Sequence, residues 1–324
     1  MSENPLEILE QVRSRLDDWN IHPEKISLAS QSENIVYRVK ADDGKHFAFR
    51  VHRPGYHTLQ ELNSEHAWTA ALGAHGFSLP TALPAKSGEY YVPVEVNGGT
   101  RYVGLIEWLP GKSLESLERD GEAALTQTVL TKLGSIMARL HIHSSGWQPP
   151  DGYTRHRLDI DGFFGDEPFW GRYWDSPFLA ASERELLLTT QNSIVASLER
   201  LGTASNVFGM IHADLHHGNV LVEDSELFLI DFDDSGFGWY LYDIAVALFE
   251  YDQRSDFQQL RESFLEAYTE IRPLSDEHLA LLPMFLHVRA RAIIGWATAR
   301  PELENTERLQ ALVSLTCEAA RDFE

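Results

Sequence analysis

A chain of 324 residues, 43% apolar and 23% charged, is long enough to bury one large core or two smaller ones and too apolar to be disordered over most of its length. Its formal net charge of −22 excludes a nucleic-acid partner, because binding a polyanion draws on clustered Lys and Arg. Acidity of this kind is compatible with a cationic small molecule and equally with simple solubility.

In chain order, Leu6, Leu9, Val12 and Leu16 fall at helical spacing and predict an opening amphipathic helix over residues 5–18. The period then changes. Ile35–Lys40, Phe47–His52, Tyr90–Val94 and Tyr102–Trp108 are rich in β-branched and aromatic residues, and Asp42-Asp-Gly-Lys45 reads as a hairpin between the first two. These are the predicted strands of one antiparallel sheet. Leu59–Leu72 reads as a helix stopped near Gly73 and Gly76. After Leu109-Pro-Gly111 the pattern is mainly helical, with segments near 122–143, 182–201, 242–250, 256–271 and 276–299. Two short strands, Asn219–Val222 and Leu227–Ile230, interrupt them around the turn Glu223–Glu226.

The expectation is an α+β, two-lobed fold: a small sheet lobe over residues 1–106, a hinge at 107–111, and a larger helical lobe over 112–324, with a cleft between the lobes. Apolar stretches such as Ile244–Phe249 stop short of the roughly 20 residues that span a bilayer, so no membrane association is expected. The acidic N-terminus lacks a secretory pattern, which places the chain in the cytoplasm. Cys317 is the only cysteine; it cannot form an internal disulfide and reads as an inert helix residue.

The chemistry concentrates in His212-Ala-Asp214-Leu-His-His-Gly-Asn219, followed one hairpin later by Ile230-Asp231-Phe-Asp-Asp234. An Asp and an Asn five residues apart on a loop can face one cleft, and the hairpin returns a second carboxylate beside them. Hard oxygen ligands of this kind suit Mg2+ around a triphosphate, which leaves Asp214 to orient and deprotonate a hydroxyl. The spacing resembles the protein-kinase catalytic loop and its following D-F-G. With Gly218 in the loop, it closely resembles the superfamily of aminoglycoside phosphotransferases, choline kinases and type II homoserine kinases.

That resemblance covers most of the chain. It implies an ATP-dependent kinase with Asp214 as catalytic base, Asn219 and Asp231 as Mg2+ ligands, and His212 as a structural member of the loop. Phe47-Ala-Phe-Arg50 parallels the kinase strand that ends in lysine. Strand alternation puts Ala48, small enough for adenine, on one face with Arg50, aimed at phosphates. Arginine here departs from the usual lysine, and its reach differs. Glu65 is the expected partner of Arg50, with Glu61 one turn earlier as competitor. Ser30–Asn34 occupies the position of a glycine-rich phosphate loop but has no glycine. Ser32 and Asn34 are the candidate contacts there, alongside backbone amides. Glu107-Trp-Leu109 resembles the hinge whose backbone binds adenine, and Tyr242-Asp243 completes the signature, with Asp243 supporting the catalytic loop from the core.

Asp233 and Asp234 are either substrate contacts or turn formers. Residues 161–175 combine aromatic rings and carboxylates, the ingredients of a cationic-amine pocket, or else form a packed loop. The expected substrates are Mg-ATP and a small hydroxyl compound such as an amino alcohol, a homoserine-like compound or an aminoglycoside, with the oligomeric state left open. The alternatives are a Ser/Thr protein kinase of the bacterial stress-response type, an inactive nucleotide-binding module, and a metallohydrolase built on His212, Asp214, His216 and His217. The last lacks convincing zinc spacing.

Overall fold

The computed structural model describes residues 4–32, 34–301 and 306–321. The chain forms two compact units. The first contains residues 1–111, 149–155 and 221–233; the second contains 112–148, 156–220 and 234–324. Two later segments, one of them carrying Asp231, therefore belong with the N-terminal part of the chain.

In the first unit, strands β1 (Pro23–Gln31), β2 (Ile35–Ala41), β3 (His46–Val51), β4 (Ala82–Leu83), β5 (Tyr91–Val96) and β6 (Gly99–Glu107) make one antiparallel sheet. Its order is β1-β2-β3-β6-β4, with β5 also on β6. Alternation decides the faces. Ile35, Tyr37 and Val39 of β2 and Phe47, Phe49 and Val51 of β3 join Ile8, Val12, Leu16 and Trp19 in one apolar core. The last four lie on helix α1 (Pro5–Val12) and the 3-10 turn Arg13–Trp19 that follows it. The predicted opening helix thus changes pitch after Val12. The alternate positions Ala48 and Arg50 are also buried. Arg50 meets helix α2 (Leu59–Ala74) through Glu65. Thr58 and Glu61 start α2 with a reciprocal capping box, each side chain bonding the other's backbone N–H.

β1 was not predicted. Nearly all of its residues are exposed, so it carries no alternating apolar signal, and its place is set by pairing with β2.

The second unit contains α3 (Leu114–Arg119), α4 (Thr126–Gly146), α5 (Ile160–Phe164), α6 (Ala181–Leu201), α7 (Tyr240–Phe249), α8 (Phe257–Ile271), α9 (Asp276–Leu279), α10 (Leu282–Thr298) and α11 (Thr306–Ala320). α7 and α10 pack together at its centre, and α4 lies along α8. A small sheet of Arg157–Leu158, Gly236–Trp239 and Phe208–Ile211 leads from its last-named strand into residue 212 and the catalytic-type loop. Asp276–Thr298 is, among the described residues, the one helical stretch long and apolar enough by composition to cross a membrane. It coincides with the helical segment read near 276–299, and most of it is buried in this unit. Cys317 is buried on α11 with a free thiol.

Candidate active site

In the helical unit, Phe208–Ile211 delivers the loop 212–219. Ala213 sits at φ 67°, a left-handed conformation that a non-glycine residue adopts only when its surroundings impose it. Asp243 on α7 imposes it here. Its fully buried carboxylate accepts from the N–H of Ala213 at 2.8 Å and of His212 at 3.1 Å. Its Oδ2 also meets His141 Nε2 at 3.1 Å, and the other ring nitrogen of His141 lies 2.8 Å from the Tyr268 hydroxyl. This is the core support expected of Asp243.

Further along the loop, the Asn219 amide nitrogen donates to the Asp214 carbonyl at 2.8 Å and to its Oδ2 at 3.2 Å. Both bonds use the nitrogen and leave the amide oxygen for a cation. A Cβ at Gly218 would come 2.6 Å from the His216 ring, so the fold of the loop excludes a side chain there. Asp214 also faces Arg289 of α10, whose Nη2 donates to Oδ1 at 2.6 Å, while His216 Nε2 stands 3.6 Å from Oδ2. Burial pushes the Asp214 carboxyl up, but His216 and Arg289 outweigh it and hold the group well below the usual carboxylate range. Burial likewise opposes protonation of His216, and Asp214 beside it more than compensates, raising its pKa.

In the sheet unit, Arg50 gathers three carboxylates. Glu65 lies at 3.5 Å, Asp231 at 3.2 Å and Asp233 at 3.4 Å. Glu61, the competitor for this pairing, is engaged in the α2 cap. Burial is the largest influence on the Glu65 carboxyl and pushes it up to about 7 despite Arg50. Burial also raises Asp233, but Arg50, His57, His52 and Arg155 together hold it low. The Asp233 carbonyl accepts from Arg155 and lies 2.9 Å from His57 Nε2, so this residue anchors the segment that presents Asp231. Asp231 itself has φ 64°, and its side chain is 46% exposed.

Other candidates fall as follows. Asn34 is buried, and its Oδ1 accepts from the Arg53 N–H at 3.1 Å, which ties it to the chain just after β3. The Ser32 N–H bonds the Asn34 carbonyl, also at 3.1 Å. Ala48 is buried on β3 beside Ile106 of β6. The N–H groups of Glu107 and Trp108 bond Thr81 and His46. Leu109, just beyond, is partly exposed.

The aromatic segment 161–175 is mainly core, not an open pocket. Phe163, Phe164, Trp170 and Tyr173 are buried, and Phe163 packs on Trp170, Trp239 and Tyr242. Apolar area outweighs the carboxylates that suggested a cation site. The Trp170 indole N–H bonds Asp234 Oδ2 at 3.1 Å.

Among the described residues no three His, Cys, Asp or Glu side chains are grouped to hold a metal ion. His217 is engaged with Glu118 at 2.9 Å, and a His216 ring nitrogen accepts from the Gly218 N–H at 3.0 Å. The metallohydrolase alternative thus lacks a donor set. Within the loop, the Asn219 amide oxygen is a hard donor of the kind taken by a divalent cation that completes its shell with phosphate oxygens and water.

The sequence model of the phosphotransferase enzyme family, APH, matches residues 26–279. The chain belongs to that family. A protein of Deinococcus radiodurans is 30% identical over 88% of this chain and 80% of its own length. The solved structure of a microcompartment-associated aminopropanol kinase is 31% identical, with TM-score 0.84 over 97% of this chain and 95% of that one. The solved structure of an amicoumacin kinase in complex with AMP-PNP, Ca2+ and Ami is 21% identical, with TM-score 0.81 over 97% of this chain and 93% of that one. This phosphotransferase has the α+β protein-kinase-like fold and is a kinase of that family.

Arg289 and the anchoring role of Asp233 were missed from sequence. Arg289 lies 75 positions from Asp214 in an apolar helix, where only the presence of arginines, Arg289 and Arg291, among buried apolar neighbours could have marked it.

Proposed function

We propose that the protein transfers the γ-phosphate of Mg-ATP to the hydroxyl of an amino alcohol, with homoserine-like compounds and aminoglycosides as the neighbouring classes. The observation that carries this reading is the tethered pair Asp214 and Asn219. A carboxylate fixed on a loop, with the Asn219 amide oxygen free of the tether, is the arrangement that orients a hydroxyl next to a phosphate-bound cation. The amino-alcohol preference is supported by the likeness to the aminopropanol kinase and by the −22 net charge, which favours a cationic acceptor.

In this mechanism Asn219 and Asp231 would hold Mg2+, which would supply charge neutralisation to the phosphates. Arg50, steadied by Glu65, offers donors to phosphate oxygens, and Asp233 keeps the 231–233 segment in place. Adenine lies against Ala48 and takes backbone groups of 107–109. Because the N–H groups of Glu107 and Trp108 are engaged, Leu109 supplies the donor. The 31–34 loop, with Ser32 and Asn34, covers the phosphates through its backbone. Asp214 orients the acceptor hydroxyl for in-line attack, so the acceleration is chiefly positional and electrostatic. ATP as donor supports a cytoplasmic reaction.

The test is Mg-dependent ADP release across amino alcohols, homoserine, choline, aminoglycosides, sugars and a protein acceptor, with Asp214→Ala as control. Stimulation by an amino alcohol, reduced in the variant by on the order of 10²–10⁴ with nucleotide affinity retained, is the expected result. Turnover unchanged in the variant would remove Asp214 from the mechanism, and stimulation by the protein acceptor alone would replace the substrate class.

A further inference from the structure

Helix α10 carries two buried arginines whose partners differ in kind. Arg291 donates to the Tyr173 hydroxyl at 2.9 Å, the Leu187 carbonyl at 2.8 Å and the Thr190 hydroxyl at 2.7 Å. All three are neutral groups of the core, so Arg291 ties α10 to α6 and the Tyr173 turn. Arg289, two residues earlier and on another face of the helix, is nearly as buried. Its ion-pair partner is the Asp214 carboxylate at 2.6 Å, and its Nε is buried without a hydrogen bond. A guanidinium taken out of water is expensive unless a charge compensates it. Here the compensating charge is the residue assigned to catalysis, which a helix stabilised only for packing would not require.

The two oxygens of Asp214 are loaded unequally. Oδ1 has the short contact with Arg289, whereas Oδ2 has the longer ones, Asn219 at 3.2 Å and His216 at 3.6 Å. Oδ2 holds only the longer, weaker contacts and is therefore the oxygen more readily given up to another donor. We propose that Arg289 is a positioning residue: it clamps Asp214 through Oδ1, from a rigid helix, so that Oδ2 meets the acceptor hydroxyl. The proposal rests on Asp214 being the catalytic residue, as read above.

In the step it serves, the acceptor oxygen forms a bond to the γ-phosphorus, and the bond from that phosphorus to the β–γ bridging oxygen breaks. ADP leaves with the electron pair, and the hydroxyl proton passes to Oδ2 and then to solvent. Arg289 touches none of the reacting atoms. A carboxylate free to rotate by a rotamer would lose much of its alignment, and misplacements of about 1 Å are worth on the order of 10²-fold in rate.

The experiment is a double-mutant cycle read by ADP release from Mg-ATP, with and without 1-amino-2-propanol, in wild type, R289M, R289K, D214N and D214N/R289M. Mg-ATP affinity and thermal stability are measured on each. R289M is expected to lower kcat by on the order of 10- to 100-fold with the KM for ATP unchanged, and R289K to recover part of the loss. In the D214N background, R289M is expected to cost nothing further. The neutral double variant also reports whether the fold tolerates loss of the pair. Equal fractional losses in both backgrounds, or full turnover in R289M or R289K, would overturn the proposal. Wild-type turnover in D214N would instead overturn the assignment of Asp214, which separates that failure from a failure of the clamp.

Discussion

Asp231 stands at φ 64°, in a segment anchored by its neighbour Asp233, and its side chain is 46% exposed. Its ion pair with Arg50, at 3.2 Å, is one for which a bound cation would compete. Asp231→Ala is expected to weaken Mg-dependent nucleotide binding by roughly tenfold or more, about 1.4 kcal/mol, and to leave Mg-independent binding unchanged. Calorimetric titration with and without Mg2+ checks this, and an unaltered metal requirement would count against the role. Arg50 differs, because three carboxylates depend on it. Arg50→Met removes the charge that buried Glu65 and Asp233 share, leaving Asp233 to Arg155, and is expected to destabilise the sheet unit by about 3 kcal/mol as well as to reduce nucleotide affinity, whereas Arg50→Lys keeps the charge and loses the fork. Denaturant unfolding beside ATP titration separates the two effects. Asp214, Asn219 and Asp231 were legible from sequence because their spacing is local. Asp233 and Arg289 were not, since an ion pair across many tens of residues leaves no periodic trace, and Asp233 looked like any aspartate in a turn.

At the scale of elements, what could be read was what buries one face. β2, β3 and β6 announced themselves by branched and aromatic residues, and α2 by its periodicity and the glycines that end it. β1 did not, because an exposed edge strand is specified by backbone pairing and not by apolar side chains. The contact of α4 with α8 was also invisible, although it depends on one residue. A Cβ at Gly134 would come 2.3 Å from the Phe264 carbonyl oxygen, and backbone cannot move aside as a flexible side chain would. Gly134→Ala is therefore expected to separate the two helices and cost about 1–3 kcal/mol, with the KM for ATP unchanged. A melting temperature equal to wild type would show that the helices do not rely on this approach.

For the molecule as a whole, the acidic surface and the buried histidines respond to pH in different ways. Burial pushes His52, in the sheet unit, and His287, in the helical unit, down to about 3, so both stay neutral in the folded chain. Unfolded, each would bind a proton below about 6.5. The unfolded state then holds more protons, so the contribution of these groups is complete above pH 6.5 and is lost as pH falls towards 3. Glu65 acts in the opposite sense. Raised to about 7, it keeps its proton in the folded state where the unfolded chain has released it, so its ionisation weakens the fold as pH rises from about 4.5 to 7. Two histidines outweigh one glutamate over the upper part of this range. Lowering the pH from 7 to 5 is expected to cost about 2 kcal/mol for each histidine. His287→Leu should therefore flatten the pH dependence by about that amount. Denaturant unfolding of both proteins at pH 7, 6 and 5 measures the difference directly. Parallel losses in wild type and variant would mean that His287 is protonated in the folded chain, which its burial beside Arg291 argues against.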